Sequence, residues 1–243
     1  MGGYARAPQL SRRVRRSGVE TRVGGRKMNE GTLRLLDRLT EVERNSLEAM
    51  FDDRHETLEK CSAVLRQTAL AVRSRGWQTH ESIWNPCLFL NTVDHDLSLL
   101  IRDLAHERDQ WKRCFVARSL ALLLFEIAED IPAVFGKPFR ASLAALAVPT
   151  ELRASVDAQT KAIGAFWNQH RSMLKEIRTA AAAHREHDAI RLLETIERID
   201  LLKMLGLALE LGRLLNELGA AAQAVITYTS AVKPPEITGG ASL

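Results

Sequence analysis

A chain of 243 residues, 46% hydrophobic and 26% charged, has the composition of a globular protein and enough length to bury a sizeable core. Aromatics are only 5%, so leucine and alanine, both strong helix formers, must fill the interior. The net charge of +4 is uneven: residues 1–27 carry eight basic groups against Glu20, which leaves −3 over residues 28–243 and rules out a nucleic-acid argument from overall basicity.

Three cysteines, Cys61, Cys87 and Cys114, are far apart and form no C-x-x-C pair. That pattern argues against a disulfide framework or a zinc ribbon and suits a reducing, cytoplasmic setting. The most apolar stretch, 199–218, is interrupted by Asp200, Lys203, Glu210, Arg213 and Glu217, so no membrane span is expected.

In chain order, residues 1–27 lack apolar periodicity and read as a disordered basic tail. Such a tail could be a nucleic-acid-binding arm, a targeting segment, or translation from an upstream start. The last reading fits best, because helical pattern begins directly after Met28. Leu33, Leu36, Leu39, Val42, Leu47, Met50, Leu58 and Leu65 then recur at helical spacing, which predicts a long or bent helix over 32–73. Gly76, Asn85 and Pro86 predict a loop.

A second helical stretch is expected over 94–131, bent near 107–110, with an apolar block from Leu120 to Phe125 too continuous for a surface helix. Pro132, Gly136, Pro138 and Pro149 mark a connector holding a short helix near 142–147. Thr150 is placed to cap a helix reaching about 183, and another is expected over 187–228. Gly206, Gly212 and Gly219 in that last helix would permit close helix approach or mark bends. The segment after 231, rich in Pro and Gly, reads as a second disordered tail. With no strand-like alternation and short connections, the fold class is all-α: one domain over 28–230, a bundle of four to six long, mostly antiparallel helices.

One segment carries candidate chemistry: Arg178, Thr179, four alanines, His184, Arg185, Glu186, His187 and Asp188. An arginine, five intervening residues and a histidine, late in a helical bundle and before a final long helix, resemble the signature of the HEPN superfamily. Thr179 stands where that family commonly has a polar residue. The helix over 118–130, with Glu126, is also similar to the family's apolar helix bearing inward-capable charges. The resemblance implies a homodimer whose two Arg/His pairs line one cleft, RNA or nucleotide as ligand, and metal-independent RNA cleavage without a cofactor. Toxin or defence roles are common in that family.

The chemistry fits the residue types. An imidazole moves protons near working pH, and a guanidinium holds phosphate oxygens as negative charge develops. Glu126 would pair with Arg178 and fix its rotamer, Asp188 would support the element from its far end, and Ala180–Ala183 would leave room for substrate or a partner helix. On a regular helix, six residues place Arg178 and His184 roughly 120° apart and about 9 Å along the axis. A break between them, or a second protomer, is therefore needed for both to meet one phosphate.

Other groups are weaker. Asp94, His95, Asp96 and His106 are metal-capable, but the paired Glu and Glu-x-x-His elements of di-iron bundles are missing, so no metal is expected. Trp111 and Trp167 fit a core or an interface better than a base-stacking role. The alternative to an enzyme is a helical scaffold or regulator that binds a protein partner through an apolar helix face such as 32–73.

Overall fold

The computed structural model describes residues 41–179 and 188–231. Within them the chain is all-α, with five long helices and two short ones: α1 (Glu41–Ser74), α2 (Gln78–His106), α3 (Gln110–Val134), α4 (Lys137–Ala145), α5 (Thr150–Ile177), α6 (Ala189–Glu197) and α7 (Leu201–Ala231). No helix among the described residues is long and apolar enough to cross a membrane.

Helices α2, α3, α5 and α7 close a four-helix body, each packed against two neighbours in the ring, with α3 also touching α7. Ile83 and Leu97 of α2, Leu120, Leu124, Ile127 and Ile131 of α3, Ile163 and Leu174 of α5, and Met204 and Leu211 of α7 are fully buried. The apolar block too continuous for a surface helix lies against the core: Leu120, Ala121, Leu124 and Phe125 of α3 are buried. Phe135 and Phe139 stack edge-on at 4.9 Å and plug one end of the body, where the Tyr228 hydroxyl also donates to the Ala147 carbonyl at 3.1 Å.

Outside this body, α1 lies along α2 through a mostly polar seam. Of its 34 residues only Leu58 and Val72 are buried. Arg54 donates to both carboxylate oxygens of Asp94 at 2.7 and 2.9 Å, and reaches Asn216 of α7 at 3.0 Å. His55 Nδ1 lies 2.6 Å from His95 Nε2, and Asn91 donates to the Leu58 carbonyl at 3.1 Å. Glu48 pairs with Arg102 and His106 at 2.7 and 3.1 Å, and Arg73 with Glu81 at 2.6 Å. Early residues of α1 meet late residues of α2, so the two run antiparallel.

Several predicted boundaries shift, each for a local reason. The loop expected at Asn85–Pro86 is helix, because α2 starts at Gln78, with Trp77 at its N-cap position, one residue beyond the turn made by Gly76 with its φ of +68°. Pro86 inside a helix forgoes one backbone hydrogen bond. Burial of Ile83, Trp84, Cys87 and Leu90 around it holds the helix together. Pro132 is likewise within α3, which runs to Val134.

The expected bend near 107–110 is a full break. The Glu107 carboxylate accepts from the Arg108 and Asp109 amides at 2.8 and 2.9 Å, and Asp109 caps α3 by accepting from Lys112 at 2.9 Å. Those backbone donors, Asp109 foremost, hold the Glu107 carboxyl below its usual range. Thr150 is the first residue of α5 and Pro149 occupies the cap position. The helix expected over 187–228 is two, separated where Asp200 accepts from the Leu202 and Lys203 amides at 3.1 and 3.0 Å. The short connector helix spans Lys137–Ala145 rather than 142–147. Residues 1–40 and 232–243, with both predicted tails and the start of the first predicted helix, lie outside the described residues.

Candidate anion-binding site

Arg178 follows the last residue of α5, and its amide reaches the Leu174 and Lys175 carbonyls as the helix widens into a π-type turn at 178–179. Helical side chains lean toward the N terminus, so Arg178 folds back over the preceding turn. Its guanidinium carbon stands 4.8 Å from the centre of the Phe125 ring on α3. Phe125 in turn meets Trp167 of α5 edge-on at 4.5 Å, and Arg171 lies 6.0 Å above the Trp167 ring. Trp167, Arg171 and Arg178 recur at four and seven, which places them on one face of α5 beside α3.

Among the described residues Arg178 sits on an aromatic ring and not beside a carboxylate. Among the described residues no acid lies within ion-pair distance of it, and its buried Nε has no hydrogen-bond acceptor. A cation over an aromatic face gains roughly 0.5–2 kcal/mol, increasing with desolvation. That contact orients the group but leaves its Nε–H unused, and a buried unpaired donor costs about 1–3 kcal/mol. A bound anion would satisfy both the charge and the donors.

Of the other predicted site residues, Glu126 is exposed on α3 beside Phe125, and no ion pair joins it to Arg178. Thr179 is exposed. Asp188 caps α6, accepting from the Ile190 and Arg191 amides at 3.0 and 3.2 Å, so its nearest duty is to start a helix. His184, with Ala180–Ala183, Arg185 and His187, lies outside the described residues. The structure therefore brings Arg178 to Phe125 and the Phe125–Trp167 pair, contacts that no spacing rule in the sequence displays.

Three of the four metal-capable residues are engaged elsewhere, and Asp96 is exposed. Asp94 pairs with Arg54, His95 with His55 and His106 with Glu48, all across the α1–α2 seam. Burial pushes the Asp94 carboxyl up, opposed by the charge and hydrogen bonds of Arg54. Among the described residues no group of three His, Cys, Asp or Glu side chains is arranged to hold a metal ion. No family model matches this chain, and neither a curated protein nor a solved structure does so.

Proposed function

We propose that the chain is a HEPN-like helical protein that cleaves RNA as a homodimer without a metal ion, using Arg178 and His184. The observation that carries this reading is the half-buried guanidinium of Arg178, set on Phe125 with no acid partner among the described residues and with an unpaired Nε. A phosphodiester supplies the missing negative charge and the acceptor oxygens.

In the proposed reaction the ribose 2′-oxygen attacks the adjacent phosphorus while His184 accepts its proton. The bond from phosphorus to the 5′-oxygen breaks, and that oxygen takes a proton from the imidazolium of the partner's Arg/His pair. The products are a 2′,3′-cyclic phosphate and a free 5′-hydroxyl. Arg178 holds the non-bridging oxygens as charge builds on them, the step at which a fixed donor is worth most.

The test is RNA cleavage by residues 28–243 in excess EDTA, with cyclic-phosphate ends identified by mass spectrometry. His184→Ala should abolish cleavage. Arg178→Ala should slow it by about 10²–10³-fold, as expected for loss of one preorganised donor. Wild-type protein inert toward several structured and unstructured RNAs would remove the reading.

A second reading, a non-catalytic scaffold that binds a protein, is favoured by the exposed aliphatic side chains of α1: Val42, Met50, Val64 and Leu70 are all more than half exposed. Inertness toward RNA together with a partner lost on Met50→Asp or Val64→Asp would establish it.

A further inference from the structure

The Phe125 ring beneath Arg178 is the far end of a longer track on α3. Trp111, Phe115, Arg118, Leu122 and Phe125 recur at four, three, four and three, so they fall within about 80° of arc on that helix. From Trp111 to Phe125 the track is about 21 Å long. Trp111 is 57% and Phe115 58% exposed, although large aromatic side chains are ordinarily buried. The Arg118 guanidinium lies 5.9 Å from the Trp111 ring and 5.6 Å from the Phe115 ring. It is steered there by a hydrogen bond from its Nε to the Cys114 carbonyl at 3.3 Å.

The surroundings carry a small excess of positive charge. Outside the core, residues 107–118 hold Arg108, Lys112 and Arg118 against Glu107 and Asp109, while Arg113 is buried with its Nε donating to the Glu107 carbonyl. Beyond Phe125 the sign changes, because Glu129 falls on the same arc and is exposed. A track with two exposed aromatic rings at one end, a guanidinium over both, a second guanidinium at the other end and a carboxylate as terminus matches a polyanion of limited length that bears flat rings.

We infer that this face of α3 is a binding lane for single-stranded nucleic acid, with bases stacked on Trp111 and Phe115 and phosphates held at Arg118 and Arg178. The inference rests on the reading that Arg178 contacts a phosphate. Stacking on an aromatic side chain is open to any unpaired base and closed to a base inside an A-form duplex, so the lane selects single strands. Its length accommodates on the order of four to six nucleotides, and Glu129 repels the phosphate that would follow.

The experiment is fluorescence anisotropy of the full chain with an end-labelled eight-nucleotide oligomer in EDTA. The oligomer is presented as ribose strand, as all-deoxy strand, and as duplex. Wild type should bind both single strands at least tenfold more tightly than the duplex. Trp111→Ala and Phe115→Ala should each weaken single-strand binding by about tenfold, and both rings are exposed enough for the thermal melt to stay unchanged. Gln67→Ala, at an exposed position of α1, should leave binding as it was.

An all-deoxy strand cannot react through a 2′-oxygen. Its ring-dependent binding, with the ribose strand left uncut, upholds the lane and removes the nuclease proposal. RNA cleavage with an unchanged KM in the ring variants upholds the nuclease and removes the lane. The lane also falls if wild type binds no single strand. It falls again if the ring variants lose only self-association.

Discussion

Replacing Asp94 by asparagine and by alanine separates two contributions within the Arg54–Asp94 contact. Asp94 is buried and Arg54 about one-third exposed, 12% and 34% by side chain. Removing one partner of a buried pair costs about 3–5 kcal/mol, because a desolvated charge is left behind. Arg54 is open enough to rehydrate, so Asp94→Ala should cost nearer 2 kcal/mol. Asparagine keeps an oxygen for the Arg54 donors and removes the buried negative charge. Burial raises the Asp94 pKa despite Arg54, so the neutral side chain is the better-tolerated form and Asp94→Asn should cost less than about 1 kcal/mol.

The same direction fixes the pH dependence of that substitution. A folded-state pKa above the unfolded one means that the native protein takes up the proton first. The resulting stabilisation is fully present below the unfolded pKa and is lost as pH rises through the folded pKa. Wild type should therefore gain on Asp94→Asn as pH falls from about 7 to about 4. Urea unfolding followed by far-UV circular dichroism at both pH values measures the difference. The reasoning is refuted if asparagine costs as much as alanine, or if wild type loses ground to Asp94→Asn on acidification. Either result would mean that the attraction of Arg54 outweighs desolvation.

Two further outcomes follow from local geometry. A methyl group at Gly206 or Gly219 meets nothing within 4 Å, so Gly206→Ala and Gly219→Ala should each raise stability by up to about 1 kcal/mol. At Gly136 a methyl would sit 2.7 Å from the Ala133 carbonyl, and Gly136→Ala should instead cost about 1–3 kcal/mol; thermal melts of equal midpoint for all three variants would contradict this. Brief alkylation with iodoacetamide at about pH 8 should add one group per chain, at exposed Cys61. Buried Cys87 has its thiol pushed up to about 12 and Cys114 is also raised by burial, so adducts at either one, seen by peptide mass spectrometry, would show that the core opens.

Helical class, approximate helix positions and the interior location of Leu120–Phe125 were legible in the sequence, because each depends on a period along one strand of chain. Breaks were harder. Glu107, Asp109, Asp188 and Asp200 terminate or begin helices by accepting amide hydrogen bonds, and carboxylates just before a helical run are a readable signal once given weight over the apolar period. Pro86 and Pro132 mislead in the opposite direction, since tertiary burial outweighs the one lost hydrogen bond at each. The candidate site was half legible. Arg178 is marked by its spacing, but Phe125 and Trp167 come to it from across a helix interface, and that register is set by packing. The contacts of Arg54, His55, Asp94 and His95 were hidden for the same reason: two polar pairs forty residues apart meet only after α1 folds back along α2.

The placement of α1 has a consequence for how the molecule comes apart. The ring of α2, α3, α5 and α7 closes without it, so withdrawing α1 uncovers a flank of α2 and the Asn216 side of α7. What it gives up is a ladder of ion pairs and imidazole contacts, together with the buried Leu58 and Val72 and the packing of Phe51 and Leu65 against the core. Release of this helix would be a local opening that costs the seam while the ring keeps its own buried side chains.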